Sequence, residues 1–112
     1  MTHFIKFDGI SGTSANSAYV GYCRVFAFQD DGGGSLSFKM SFAKGSSELF
    51  AASVNGSHIA SAVMVQDEDG SILLKSRYAD LMVDIAEIAK NGNAFKLQYG
   101  ASSTDYPQWS AE

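Results

Sequence analysis

The chain reads as a single, mainly β domain with one short helix, and three observations predict it. Residues 36–42, Leu-Ser-Phe-Lys-Met-Ser-Phe, alternate apolar and polar side chains, the period-two pattern of a strand with one buried face. Runs rich in aromatic and β-branched residues, such as Tyr-Cys-Arg-Val-Phe-Ala-Phe over residues 22–28, are separated by Gly-, Asn- and Asp-rich turns. About residues 47–55, apolar residues fall at helical spacing and Gly56 follows as a stop. No fixed period repeats and no linker divides the 112 residues. A chain of that length buries about two thirds of its unfolded surface and needs neither metal nor disulfide to fold.

In chain order, the first strand begins with Phe4 and ends at Gly9 or just beyond, and residues 11–18 form a loop. The run from Tyr19 to Gln29 is β-rich. Residues 30–35, Asp-Asp-Gly-Gly-Gly-Ser, must turn, because successive glycines lose too much entropy in a strand. In the alternating strand, Leu36, Phe38, Met40 and Phe42 face one way and Ser37, Lys39 and Ser41 the other. Ser46 or Ser47 caps the helix, Glu48 complements its dipole, and Leu49 falls beside Ala52 and Ser53. Residues 58–66 and 71–78 are strands joined by an acidic turn over residues 67–70. Residues 78–90 fit two patterns equally: a helix with Leu81, Ile85 and Ile88 on one stripe, or a strand alternating Leu81, Val83 and Ile85 against Asp80, Met82 and Asp84. Asn91-Gly92 after it is a strong hairpin signal. The tail from about residue 101 to 112 reads as irregular, with Pro107 the single proline.

Composition narrows function by exclusion. The net charge is −4 and the eight Lys and Arg are scattered, which leaves no footprint for nucleic acid. Only 18% of residues are charged, and 16 Ser, 14 Ala and 11 Gly give a small, bland surface that permits close protein contact. No run approaches the ~18 apolar residues of a membrane span, and residues 1–10 lack a secretory signal pattern. Synthesis in the cytoplasm, no membrane insertion and, if the protein leaves, export by a dedicated machine without a signal peptide are the expectation. Cys23, the single cysteine, sits in a strand-like run and is expected to be a core residue.

The chemical motifs are weak. His3 and His58 do not form a metal-ligand pair, and no Gly-x-Ser-x-Gly elbow is present. A Ser–His–Asp set from His58 and Asp80 carries little information when sixteen serines are available; His58 reads better as bonded to free carbonyls past the helix end. The glycines of residues 32–34 lack the Lys of a phosphate loop and follow two aspartates. The expectation is therefore no catalytic residue, no metal and no cofactor.

Three blocks resemble the haemolysin-coregulated protein family, Hcp, the tube subunit of bacterial type VI secretion systems. Residues 4–14 are similar to its opening strand and loop, matching at Phe4, Lys6, Gly9, Ile10, Gly12 and Ser14. Residues 19–28 resemble a family strand, with Tyr22 where tryptophan is common. In residues 41–64, Ser41, Phe42, Lys44, Leu49, Ala52, Gly56, His58, Ile59 and Ala62 fall in register with the family's strand–helix–strand block, given a short deletion after Lys44. Residues 76–88 resemble a family strand, which favours strand over helix there.

The resemblance implies a small β-barrel of two packed sheets with one helix beside it, over residues 1–112 as one domain. It implies self-association into a hexameric ring, stacking of rings into a tube, and contact with spike, sheath and effector proteins. It offers Gly9, Gly12, Phe42, Lys44, Leu49, Ala52, Gly56, His58 and Ile59 as motif positions, and Asp30, Asp31, Gly32, Gly33 and Gly34 as a protomer-contact loop. Family members run longer: the glycine-rich insertion is cut here to residues 30–35. The alternatives are a phage tail-tube-like relative that shares the fold, a monomeric barrel binding a small ligand or a protein, and a small secreted effector or hydrolase using His58. The barrel predicts an internal pocket.

Overall fold

A computed structural model describes residues 2–12 and 19–105. Ser14 and the tail beyond residue 105 lie outside them. The elements are β1 (Thr2–Phe7), β2 (Cys23–Asp30), β3 (Ser35–Ser41), α1 (Lys44–Asn55), β4 (His58–Glu68), β5 (Ser71–Ala89) and β6 (Gly92–Asp105). All strand pairs are antiparallel, and the order β1-β2-β3-β6-β5-β4 closes on itself as a barrel. The expected barrel with one helix is present, as one continuous ring of strand pairings. Inward side chains fill it: Ile5, Phe7, Leu36, Phe38, Leu49, Leu81 and Leu97 are each at most 2% exposed. Each such burial contributes roughly 1.5–3 kcal/mol. Cys23 joins this core, as expected.

Several boundaries moved for identifiable reasons. The second strand starts at Cys23 rather than Tyr19, because residues 19–22 turn, with Gly21 at φ 85°. Tyr19 folds back to stack on Phe4 at 4.3 Å and donates its hydroxyl to Asp67, building a second apolar cluster on the outside of β1 and β4. Asp67 is thus buried, not part of a solvated acidic turn, and also accepts the Gly70 N–H at 2.9 Å. The turn itself has positive φ at Asp69 and Gly70, the hairpin geometry whose twist matches the strands.

The helix begins at Lys44, three residues before the expected start. Ala43 is the N-cap, and Ser46 serves from inside: its Oγ accepts the Ala43 N–H and donates to the Ala43 carbonyl, both at 2.8 Å. Gly45 permits this early start, since a Cβ there would overlap the Ser11 carbonyl. Glu48 lies past the first turn and does not complement the dipole; its Oε1 accepts the Ser11 N–H at 2.7 Å. That N–H holds the Glu48 carboxyl below its ordinary range. Gly56 ends the helix at φ 65°, as expected.

Residues 78–90 belong to strand β5, apart from Lys90 in the turn; pairing with β6 along this run, and with β4 as far as Met82, overrides the helix preference of Ala and Glu. Its alternation breaks at a register shift between Val83 and Ile85, so Leu81 and Val83 point inward but Ile85 is 43% exposed. The hairpin that follows turns on Lys90 and Asn91, with Asn91 at φ 63°. Gly92 is the first residue of β6, where a Cβ would overlap the Met40 carbonyl. Residues 101–105, expected to be irregular, continue β6 because β5 pairs with them. Phe42 was expected beside Leu36, Phe38 and Met40, but β3 ends at Ser41 and leaves it 59% exposed.

Candidate functional site

The motif positions divide by physical role and do not converge. Leu49, Ala52 and Ile59 are core contacts of the helix and β4. Gly9, at φ 80°, and Gly56 are turns, and a Cβ at Gly12 would overlap the Gly21 carbonyl, so the two arms of that loop need glycine to meet. Lys44 and Phe42 are exposed at the start of the helix. His58 does not bond helix carbonyls: its Nδ1 lies 3.0 Å from Asp80 Oδ1. The two side chains are 63% and 73% exposed, where water screens the pair and leaves it little strength. Asp80 sits at φ 54°, an irregularity of β5 that sequence gave no sign of.

The loop of residues 30–34 consumes its own donors. Asp30 Oδ1 accepts the Gly32 N–H at 2.9 Å, and Asp31 Oδ1 accepts those of Gly33 at 2.7 Å and Ser35 at 3.1 Å. These backbone N–H groups hold the Asp31 carboxyl below its usual value. The loop presents carboxylates, not a nest for phosphate. Asp30 also accepts the hydroxyls of Tyr78 at 3.0 Å and Tyr99 at 2.8 Å, tying the end of β2 to β5 and β6. Burial raises both tyrosine pKa values. Those long-range pairs carry no local pattern, so sequence reasoning missed them. Among the described residues, no group of three or more His, Cys, Asp or Glu is placed to hold a metal, and no helix is long and apolar enough to cross a membrane.

What the fold leaves open is sheet border. β3 pairs with β6 only as far as Gln98, and the Tyr99 N–H then closes on the Gly34 carbonyl at 2.9 Å. Beyond it, residues 101–105 pair, among the described residues, with β5 alone. β4 pairs with β5 only as far as Met82, so among the described residues no strand pairs with residues 83–89 on that side, and α1 packs against β5. Near the hairpin tip, Phe42, Phe50 and Ile88 line a shallow apolar groove of about 280 Å³ with Ser47 and Asn93. The outer face of β4–β5–β6 is small-residued at Ser61, Ala79, Ala101 and Ser103.

No protein-family model matches the chain, and no curated protein matches it in sequence. Solved structures do match its fold. Hcp2 from Salmonella typhimurium superposes with TM-score 0.85 at 22% identity, covering 95% of this chain and 87% of that one. Hcp1 from Salmonella typhimurium gives 0.84 at 22%, covering 94% and 86%. A type VI secretion system effector from Yersinia pestis gives 0.79 at 20%, covering 96% and 91%. The chain has the Hcp fold, as the three sequence blocks implied.

Proposed function

We propose that this chain is a structural tube subunit of a type VI secretion machine. Copies join side by side into a ring, six-membered as the resemblance implies, and rings stack around a channel that carries effector proteins. Spike and sheath proteins are its further partners. The chain is made in the bacterial cytoplasm and leaves through the machine. The observation that carries this reading is a barrel filled by its own side chains but bordered by open strand runs. Such runs invite pairing, and identical neighbours in a closed assembly satisfy them. Solved proteins of this fold include ones described as type VI secretion system proteins, which supports the setting.

The loop of residues 30–34 belongs to the contact region on this reading, because Asp30 and Gly34 fix it where the open run of β6 begins. Among the described residues, side chains fill the barrel interior, which counts against the ligand-binding barrel. The exposed His58–Asp80 pair gives a hydrolase no desolvated base, so His58→Ala is expected to change no activity. Size-exclusion chromatography with light scattering, and negative-stain imaging, test the proposal. Rings or a defined oligomer are expected; a clean monomer at high concentration overturns it.

A further inference from the structure

We infer that the outer face of β2, flanked by Lys6 and Lys39, docks an extended acidic segment of another protein. The inference stands apart from the assembly reading and does not need it. Lys and Arg are scattered along the sequence, but the barrel gathers four of the eight, Lys6, Arg24, Lys39 and Lys90, into one strip.

Alternation along β2 builds the strip. Cys23 and Val25 point into the core, so Arg24 and Phe26 face out, and Phe26 pairs with Lys39 of β3. A register shift follows Phe26, with Ala27 at φ 51°, and Phe26 is left 44% exposed. Bulges re-aim side chains in this way. Arg24 Cζ lies 5.1 Å from the centre of the Phe26 ring, and Lys6 Nζ lies 5.9 Å from that of Tyr22. Each ring holds a cation in place but leaves its charge unneutralised. From Tyr22 to Phe26 the strip runs about 13 Å.

No carboxylate within the copy answers these charges. Among the described residues the ion pairs are His58–Asp80 and Arg77–Asp105, and neither includes a residue of the strip. β3, and β2 as far as Gln29, contain no Asp or Glu. Asp8, in the turn after β1, and Glu87, one strand past Ala94 in the row of Lys39, mark its ends. On a chain of net charge −4 the strip is a local reversal of sign.

Its chemistry selects the partner. Phe26, Lys39 and Lys90 border a hollow of about 230 Å³ that Met40 and Ala89 also line. That is less than the ~300 Å³ of a small-molecule site and fits one apolar side chain. An extended peptide presents every second side chain to the same face, which matches the spacing along β2. A nucleic acid has no apolar side chain for the hollow and meets a net negative chain. In a second copy the acidic residues of β5 are already engaged, Asp80 by His58 and Asp84 by Gln98.

Fluorescence anisotropy with the full chain tests this, using a labelled ten-residue peptide that alternates Glu and Leu. Binding is expected that weakens as salt rises, with none for the Gln and Leu counterpart. Arg24→Gln with Lys39→Gln is expected to weaken it about tenfold, and Phe26→Ala by a similar factor, with circular dichroism unchanged. Lys75→Gln with Arg77→Gln, on β5, removes the same charge elsewhere and is expected to leave binding unaltered. Absence of binding, binding of the uncharged peptide, or equal weakening by the two pairs overturns the inference. Tighter binding of a ten-base single-stranded oligonucleotide, or of phosphatidylserine vesicles, assigns the strip to phosphate and overturns it as well. An oligomer that Arg24→Gln with Lys39→Gln disperses in light scattering makes the strip a contact between copies. That result overturns the inference and leaves the assembly reading standing. A monomer that binds the peptide as expected overturns the assembly reading alone.

Discussion

Residues 92–98 and residues 99–105 share strand β6 and the neighbour β5, yet they have opposite fates. The first half is flanked by β3 as well, and Asn93, Phe95 and Leu97 are buried. The second half loses β3 where residues 31–34 turn, and residues 100–105 are all exposed. The same covalent strand thus changes from core to border at Tyr99, where the Asp30 carboxylate and the Gly34 carbonyl mark the crossing. Strand geometry alone does not bury a residue; a second neighbour and a facing layer do. Burial is concentrated in the first half of β6, and an exposed strand border in the second.

Substitutions on the two sides sharpen that contrast. The largest effect is expected at Phe38, which packs against Phe7 and Phe95 inside the barrel. Phe38→Ala is expected to cost about 3–5 kcal/mol, read by urea unfolding. Gly92→Ala comes next, at about 1–3 kcal/mol, because the new methyl meets the Met40 carbonyl of the neighbouring strand. An unchanged denaturation midpoint in that variant would show that β3 and β6 can separate without cost, contrary to the close approach.

Tyr19→Phe removes the hydroxyl that Asp67 accepts and is expected to cost about 1–3 kcal/mol. Burial, then the Asp67 bond, pushes the Tyr19 pKa up to about 12. The folded state therefore favours the neutral phenol. Its contribution is complete below pH 10 and lost as pH rises from 10 through 12. Tyr19→Phe should flatten that alkaline loss in thermal melts taken against pH.

Asp31 behaves with the opposite sign. Its depressed pKa means that its bonds to Gly33 and Ser35 hold above the ordinary aspartate value, about 4, and fade as pH falls through the depressed one. A fall in the amide protection factors of Gly33 and Ser35 in acid, absent in Asp31→Asn, is the expected result. The smallest stability effect belongs to the border: Ser102→Ala is expected within about 0.5 kcal/mol by urea unfolding. A large loss there would erase the division between core and border.

The sequence by itself determined the class of the fold, the alternation of β3, the helix stop at Gly56 and the buried role of Cys23. Each depends on neighbours along the chain: a period of two, a residue free to take positive φ, or a small hydrophobe within a strand-like run. The resemblance in residues 41–64 pointed to the barrel. Tertiary structure alone decided where strands end and which faces survive. Ile85 left the core because a register shift inserted Asp84, and Phe42 because β3 stopped before it. Residues 101–105 became strand because β5 lay alongside to pair them. The open borders of β5 and β6 were invisible in the sequence for the same reason. Whether a strand has one neighbour or two depends on segments that meet only once the barrel closes.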